Sequence, residues 1–319
     1  MMGPFALARA LRDRGVLGLN ARNGEFMLPW NPRRFYPLVD DKVLTKTLAR
    51  EHGVSVPEVY AIIEIPRQIR ELKSKVAAHE EFVVKPARGS GGEGIVVVTG
   101  RGPDGYRKID GSSISEQELE FHISNILAGI FSLGGTPDKA LVEYRVNFDP
   151  VFDAVTYRGV PDVRVIVFLG VPVMAMVRLP TRKSGGRANL HQGALGTGVD
   201  MATGRTLTAV LRTGIVDVHP DTGVPVSGIQ IPHWQTMLEI ASRSYELTGL
   251  GYQGIDIVLD RKLGPMVLEL NARPGLAIQM ANRAGLRTRL EAVLRDRAGL
   301  DSAAARIAYA RERFAARPS

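Results

Sequence analysis

Hydrophobic and polar residues alternate along this chain with two different periods. Apolar side chains that recur every three or four residues indicate amphipathic helices, and short β-branched runs bounded by turn residues indicate buried strands. Helices are therefore predicted at residues 40–52, 116–131 and 234–245. Strands are predicted at residues 82–85, 95–99, 140–146, 162–169, 173–179, 255–260 and 266–270.

The ends of two predicted helices carry recognisable signals. Ser115 and Glu118 have the spacing of a capping box before the helix at 116–131. Asp40 or Asp41 can cap the helix at 40–52, and Gly53 ends it. The apolar face of this second helix is predicted to consist of Val43, Leu44, Thr47 and Leu48.

Most of the predicted strands are joined by short turns. Such connections favour antiparallel pairing, with helices against the sheets, over a run of parallel βαβ units. The predicted fold class is therefore α+β. We find no internal repeat and no low-complexity tract in the chain.

Composition excludes several classes of protein. The 319 residues are 45% hydrophobic and 23% charged, which is ordinary for a globular protein and unlike collagen, a coiled coil or a disordered chain. The absence of cysteine excludes disulfides, cysteine-bound zinc, iron–sulfur centres and a thiol nucleophile. It also fits a reducing compartment.

The net charge of +8 is concentrated at the two ends of the chain. Residues 1–50 and residues 283–319 each carry +5, which leaves −2 for the middle. With aromatic residues at 6%, neither a basic groove nor a stacking surface for nucleic acid is predicted. An anionic substrate or an acidic membrane surface would suit the two ends equally.

No membrane span or secretory signal is predicted, and a cytoplasmic location is expected. The longest apolar stretch, Val165–Val177, is broken by Gly170 and Pro172 and is shorter than the roughly 18–20 residues of a spanning helix. The arginine-rich residues 1–23 lack an apolar core and a cleavage site. They suit a short surface helix better than a transit peptide.

A glycine-rich loop follows the predicted strand at 82–85. Its glycines, Gly89, Gly91 and Gly94, match a dinucleotide fingerprint as a string, but that fingerprint must open a helix. Here the loop leads into a β-branched segment, so the fingerprint is excluded. Walker A and protein-kinase loops are excluded by the residues that follow. What remains is a flexible hairpin tip whose backbone N–H groups can bind phosphates beside Lys85, or a turn that is merely rich in glycine.

Three oxygen-bearing side chains are predicted on one face of a hairpin. If Arg261–Gly264 forms a four-residue loop, Asp256 lies directly opposite Glu269, and Asn271 projects from the same face. Two opposed carboxylates repel unless a positive group lies between them. Oxygen ligands of this kind suit Mg²⁺ bridged to phosphates, whereas the plainer alternative is an exposed, charged sheet face.

Other polar residues are candidates for substrate contact. If the turn after the strand at 162–169 is Gly170–Pro172, Arg164 lies opposite Arg178, and the two guanidiniums could neutralise a phosphate in motion. The alternative is a structural ion pair between Asp162 and an arginine. A polar cluster at 189–193 includes Asn189 and His191, for which substrate contact and a structural role are equally favoured.

Taken in order, these motifs resemble the ATP-grasp superfamily, in particular RimK-type α-L-glutamate ligases and the sugar-transfer-associated branch. The resemblance covers residues 39–294. The most specific marks are Asn189-Leu-His-Gln-Gly193 and Glu269-Leu-Asn-Ala-Arg-Pro-Gly275. The other marks are Lys42, Val83-Val-Lys-Pro86 with its glycine loop, Val142-Glu-Tyr144, Asp162-Val-Arg164 and Asp256.

The resemblance implies a fold of two α+β lobes whose antiparallel sheets grip ATP. The implied nucleotide-binding residues are Lys42, Lys85, Gly89, Ser90, Gly91, Gly92, Glu143, Tyr144 and Val146. The implied metal ligands are Asp256, Glu269 and Asn271, for Mg²⁺ or alternatively Mn²⁺. Arg164 and Arg178 would be catalytic, and the implied substrate-binding residues are Asn189, His191 and Arg273.

The resemblance also implies an activity and a domain plan. Such enzymes phosphorylate a carboxylate and pass the acyl group to an amine, so small-molecule or peptide acids and amines are the expected partners. We expect an extension at residues 1–38, lobes at 39–140 and 141–294, and a basic tail at 295–319. RimK-type ligases have a sizeable α/β domain before the core, and its absence here puts glutamate specificity in doubt. A nucleotide-binding module without ligase turnover is the alternative function, and a homo-oligomer is left open.

Overall fold

The structure is a computed structural model that describes residues 4–89, 91–212 and 214–316. The chain divides into two compact units. The central unit comprises Asp40–Asn147, and the flanking unit comprises Met1–Val39 together with Phe148–Ser319. Each unit is built on its own antiparallel sheet.

The helices and strands follow in chain order. The α-helices are α1 (Pro4–Asp13), α2 (Leu19–Ala21), α3 (Pro37–Asp40), α4 (Lys42–Glu51), α5 (Leu72–Lys75), α6 (Glu116–Leu127), α7 (Trp234–Thr248), α8 (Ile278–Asn282), α9 (Leu286–Asp296) and α10 (Ala303–Arg313). The strands are β1 (Val59–Ile63), β2 (Phe82–Pro86), β3 (Val96–Gly102), β4 (Gly105–Lys108), β5 (Ser113–Ser115), β6 (Ala140–Glu143), β7 (Asp162–Phe168), β8 (Val171–Leu179), β9 (Leu195–Val199), β10 (Thr206–Leu211), β11 (Gly214–Val216), β12 (Tyr252–Asp260) and β13 (Gly264–Asn271).

The central unit has its sheet in the order β1-β6-β2-β3-β4-β5, with helix α6 packed against it. The predicted capping box starts this helix, because Ser115 accepts a hydrogen bond from the Glu118 backbone while the Glu118 side chain accepts one from Ser115. Leu119, Ile123 and Ile126 then project into a core shared with the sheet. The helical period of the apolar residues thus places one face of α6 in the core.

The structure confirms the predicted position of helix α4 but not its predicted apolar face. Asp41 caps it by accepting a hydrogen bond from the backbone N–H of Val43 at 2.9 Å. The buried residues of α4 include Thr45, Lys46 and Ala49, while Leu44 is 44% exposed. The predicted apolar face was therefore wrong, because a lysine turns inward one turn after the helix starts.

The flanking unit has a sheet in the order β11-β10-β9-β8-β7-β12-β13. The long apolar stretch forms the β7–β8 hairpin, as predicted, and helices α7, α8, α9 and α10 pack against the sheet. Strand β9 was not predicted, because two of its five residues, Leu-Gly-Thr-Gly-Val, are glycines, which are uncommon in strands. Helix α8 passes close by there, and a Cβ at Gly198 would lie 2.5 Å from the carbonyl oxygen of Ala281.

Residues 4–38, the described part of the expected extension, are docked into the flanking unit by buried amides. The Asn31 side chain donates to the Tyr252 carbonyl at 2.7 Å and accepts from the Tyr252 N–H at 2.8 Å. Gln279 makes the same two-way contact with the backbone of Leu17, at 2.8 and 3.0 Å. Each buried amide is thus satisfied on both sides, which makes this segment part of the core.

One expected boundary differs in the structure, and the expected tail is packed into a unit. Strand β6 pairs with β1 and β2, so the central unit runs to Asn147 and does not end at residue 140. The expected basic tail contains α10, which packs on β8 and α7 and buries Ile307 and Ala310. Among the described helices, none is long and apolar enough to cross a membrane.

Candidate functional site

The central unit contains a buried group that we call the lysine–glutamate cluster: Lys46, Lys85 and Glu143. The Glu143 carboxylate lies 2.6 Å from the Lys85 ammonium through Oε1 and 3.0 Å from the Lys46 ammonium through Oε2. Lys46 also donates to the Pro57 carbonyl at 2.9 Å. The three residues are between 2% and 4% exposed. Helix α4 and the neighbouring strands β2 and β6 supply one residue each.

Two ammonium groups share one carboxylate in this cluster, which leaves one net positive charge in the interior. Burial lowers the pKa of Lys46 to about 8, against the opposing attraction of Glu143. Burial would raise the pKa of Glu143, but Lys85 and Lys46 outweigh it and hold that pKa below its ordinary value. A buried, uncompensated cation is costly unless an anion can approach it.

The resemblance implied that Glu143, Tyr144 and Val146 bind the nucleotide. The Glu143 side chain contacts the two lysines. The Tyr144 N–H donates to the Glu58 carbonyl at 2.8 Å, and Val146 is buried. The structure thus places these three residues in and just after strand β6, with the carboxylate turned toward the lysines.

The glycine-rich loop is held at both ends. Lys42 donates from Nζ to the Gly89 carbonyl at 2.7 Å. At the other end, the His122 imidazole bonds to the Gly94 carbonyl at 2.8 Å through Nε2. Gly91 and Gly92 have φ values of +66° and +80°, and a Cβ at either would meet no described atom within 4 Å. Ser90 lies outside the described residues. Backbone at this loop tip is therefore open to a ligand.

The flanking unit contains a second buried group, the arginine–aspartate cluster: Asp162, Arg164, Arg178 and Asp256. Arg164 donates to both oxygens of Asp256, from Nε at 2.7 Å and from Nη2 at 2.6 Å. Arg178 donates to both oxygens of Asp162, at 2.6 and 2.5 Å, and to Asp256 Oδ2 at 2.7 Å. Asp256 is thereby held by two guanidiniums at once.

The register explains these contacts and corrects one prediction. Arg164 does not lie opposite Arg178, because Phe168 pairs with Val171 and the turn is therefore Leu169–Gly170, which places Arg164 opposite Met176. Arg178 instead faces Asp162, and Arg164 faces Asp256 across β7 and β12. Each arginine therefore lies opposite an acid, as the structural alternative for Asp162 predicted, and Arg178 also reaches the second acid.

The cluster separates the pKa values of its two acids. Burial would raise the pKa of Asp256, but Arg164 and Arg178 outweigh it and lower the pKa to about 2. Burial raises the pKa of Asp162 to about 6, with Asp256 adding to the effect and Arg178 opposing it. The arginines thus favour the ionised form of Asp256, whereas burial favours the protonated form of Asp162.

The opposed carboxylates occur as predicted, although the turn differs. Asp256 pairs with Glu269 across the β12–β13 ladder. The loop is shorter than predicted, since Asp260 pairs with Gly264, and a bulge between Asp256 and Ile257 restores the alignment. Asn271 lies two residues beyond Glu269 and donates weakly to Asp256 Oδ2 at 3.4 Å.

The donor set here fits a hard cation in part. Carboxylate and amide oxygens are the ligands that Mg²⁺ takes in proteins. In the described residues no group of three or more His, Cys, Asp or Glu side chains could hold a metal ion. Both oxygens of Asp256 already accept from guanidiniums. Bound phosphate oxygens would have to complete the coordination shell.

The remaining predicted site residues are in the flanking unit. Asn189 caps a short turn by accepting from the His191 N–H at 3.0 Å. The His191 side chain is exposed. Arg273 is exposed, and its guanidinium lies 4.9 Å from the centre of the Tyr36 ring. Exposure leaves His191 and Arg273 accessible to a substrate.

Sequence reasoning missed Lys46. The residue stands four positions after Lys42, so both lysines lie on the same side of α4. That spacing was the available signal. Its burial could not be predicted, because it depends on Glu143, a residue almost a hundred positions away in the chain.

A family model described as sugar-transfer associated ATP-grasp matches residues 21–295 of the chain. No curated protein matches it significantly. Similar solved structures include the ATP-grasp ligase PsnB complexed with minimal precursor, at 17% identity and a TM-score of 0.43 over 83% of this chain and 63% of PsnB. D-cycloserine synthetase DcsG aligns at 17% identity and a TM-score of 0.46 over 83% and 72%.

A third similar structure is the D-alanine-D-alanine ligase from Coxiella burnetii. It aligns at 13% identity and a TM-score of 0.42 over 88% of this chain and 60% of the ligase. The chain therefore spans less than two thirds of the length of PsnB and of this ligase.

Proposed function

Because the chain belongs to the sugar-transfer-associated ATP-grasp family, we propose that it is an ATP-dependent ligase joining a carboxylate to an amine. Family membership confirms the α+β ATP-grasp fold predicted from the sequence. In the proposed reaction, the γ-phosphoryl group passes from ATP to a carboxylate oxygen, and ADP leaves. The amine nitrogen then attacks the acyl carbon, loses a proton and displaces phosphate.

The observation that carries the proposal is the pairing of Asp256 with Glu269 beside two partly buried guanidiniums. This one sheet face combines oxygen ligands with two guanidiniums in fixed orientations. Phosphoryl transfer needs both, because catalysis depends on positioning the phosphoryl group and neutralising its charge. Arg178 reaches both acids of the cluster, so its guanidinium is oriented before any substrate binds.

We assign the phosphates of ATP to Lys42, Lys85 and the glycine-rich loop. The support is the net positive charge of the lysine–glutamate cluster and the open backbone at Gly91 and Gly92. We assign Mg²⁺ to Glu269 and Asn271, with Asp256 contributing an oxygen where its arginine contacts allow. The ion would supply charge neutralisation at the phosphates. Mn²⁺ is the natural substitute to test.

The proposed contacts with the acid and the amine are assigned to accessible residues. We propose that Asn189, His191 and Arg273 contact them, because a carboxylate suits an exposed guanidinium. Glutamate or another amino acid, or a short peptide, is the proposed substrate class. Use of ATP agrees with the cytoplasmic location predicted from the sequence.

The test is ADP release with pools of amino acids and short acidic peptides, followed by product mass. Mg²⁺-dependent ADP release that needs both an acid and an amine would support the ligase. Glu269→Gln should abolish it. Asp153→Asn, the same kind of change at an exposed acid in the same unit, should not alter it.

The alternative is a nucleotide-binding module without turnover, serving an envelope or sugar-transfer system. The association of the family with sugar transfer supports this alternative. It predicts tight Mg–ATP binding with no ADP release for any acid and amine pair. Absence of nucleotide binding as well would contradict both candidates.

A further inference from the structure

The lysine–glutamate cluster contains two ammonium groups and one carboxylate, so one positive charge is left unbalanced. Glu143 Oε1 lies 2.6 Å from the Lys85 ammonium. If Glu143 had no second partner, its carboxylate would neutralise Lys85 completely. Its other oxygen is instead 3.0 Å from Lys46. The carboxylate is thus divided between two ammonium groups, and neither is fully compensated.

Lys46 is badly placed to bind a ligand itself. Its side chain is 4% exposed, and its ammonium is occupied by Glu143 and by the Pro57 carbonyl at 2.9 Å. Lys85 is on the same strand as Pro86, which leads directly into the glycine-rich loop. Lys85 is therefore the member of the cluster that stands next to the proposed phosphate-binding segment.

We propose that Lys46 is a positioning residue that leaves charge on Lys85 for the phosphates of ATP, by drawing on the Glu143 carboxylate without touching the nucleotide. This inference rests on the proposed function, in which Lys85 contacts the phosphates. In the absence of Lys46, Glu143 and Lys85 form a neutral pair, and the attraction for a polyanion falls. The lowered pKa of Lys46 agrees with a charge that its surroundings do not fully stabilise.

A charge-restoring pair of substitutions tests the inference. Lys46→Met removes the cation with little change in side-chain volume and should weaken Mg–ATP binding at least tenfold by calorimetry. Adding Glu143→Gln removes the carboxylate, so that Lys85 regains an uncompensated charge. The double variant should bind within about threefold of the wild-type protein. A purely structural role for Lys46 predicts that the double variant binds as weakly as Lys46→Met, or more weakly.

A matched control separates this effect from general loss of charge. Lys73 in the same unit also pairs with a glutamate, Glu116, at 2.9 Å, but its side chain is 69% exposed. Lys73→Met should leave ATP affinity within twofold, because solvent screens that pair. A loss equal to that of Lys46→Met would overturn the inference.

Failure of the inference is distinguishable from failure of the proposed function. If Lys85→Met binds Mg–ATP as the wild-type protein does, Lys85 does not contact phosphate and the proposed function is wrong at this point. If Lys85→Met loses binding while Lys46→Met keeps it, the role of Lys46 alone is wrong. If Lys46→Met does not fold, the double variant decides by itself, since a loss of more than tenfold there contradicts the inference.

Discussion

The two charged clusters of this protein differ in how their charges are balanced. In the arginine–aspartate cluster, two guanidiniums face two carboxylates, and Arg178 contacts both acids. In the lysine–glutamate cluster, two ammonium groups share one carboxylate. The first is balanced and the second carries a net charge. A balanced cluster is suited to hold a fixed geometry, whereas a charged one is suited to attract a ligand of opposite sign.

The chemistry of the side chains suits these different tasks. A guanidinium is planar and donates two parallel hydrogen bonds, as Arg164 does to Asp256, so it orients its partner. An ammonium acts as a point charge whose pKa responds to burial, as that of Lys46 does. The contrast predicts that breaking the first cluster mainly affects stability and chemistry, and that breaking the second mainly affects nucleotide affinity.

The largest expected effect is the loss of stability when the balanced cluster loses an acid. Asp256→Asn leaves the largely buried guanidinium of Arg164 facing a neutral amide, takes one contact from Arg178 and should lower the free energy of unfolding by about 3–5 kcal/mol. Lys46→Met should cost no more than about 1 kcal/mol, because it leaves Glu143 and Lys85 as a matched pair. Urea unfolding measures both values. Similar losses in the two variants would remove the distinction between the clusters.

The next effect concerns the rate of the proposed reaction. Arg178→Ala should lower kcat by roughly a hundredfold to a thousandfold, as expected for loss of one donor that acts on transition-state charge. Its Kd for Mg–ATP should stay within a few-fold of the wild-type value. Arg178→Lys should recover little, because an ammonium cannot donate in parallel. If Arg178→Ala keeps its kcat and loses ATP affinity, the residue binds the nucleotide instead.

A third prediction uses the separated pKa values of the two acids. The folded-state pKa of Asp162 is raised to about 6 from an ordinary value of 3.8, so the folded protein binds this proton more tightly than the unfolded chain. Its ionised form therefore reduces stability at pH 7, and that cost disappears as the pH falls from about 6 to about 4. Asp256 behaves oppositely, since its pKa of about 2 gives stability that is lost as the pH falls below 3.8.

Asp162→Asn isolates the first of these contributions. The difference in unfolding free energy between this variant and the wild-type protein should change between pH 7 and pH 4, as the wild-type acid becomes protonated. The exposed-acid variant Asp153→Asn should show no such change over the same range. A pH-independent difference for Asp162→Asn would mean that its pKa is not raised.

The smallest expected effect concerns the glycine-rich loop. Gly91→Ala places a Cβ at a φ of +66° in open space and should cost about 1 kcal/mol of stability while weakening Mg–ATP binding. Gly94→Ala should cost more, because its Cβ would lie 2.6 Å from the Phe131 ring. Thermal melts and calorimetry on both variants separate the two effects. Unchanged ATP affinity in Gly91→Ala would make the loop an ordinary turn.

The local elements and much of the candidate site could be predicted from the sequence. Helix caps at Asp41 and Ser115, the hairpins and the pairing of Asp256 with Glu269 all follow from residues close in the chain. The alternation of side chains along a strand and the capping of a helix each depend on a few neighbouring residues. Both can therefore be predicted from the local sequence. Even a turn of the wrong length did not alter the opposed carboxylates, because a bulge compensated for it.

Which charges share a partner depends on the tertiary fold and could not be predicted from the sequence. Lys46 turns inward because Glu143 arrives from a distant strand, and Arg178 contacts Asp256 because three strands align side by side. The docking of residues 4–38 by buried amides could not be predicted from local patterns either. Interior charge and buried hydrogen bonds depend on groups brought together from remote parts of the chain, and no periodicity of the sequence records such neighbours.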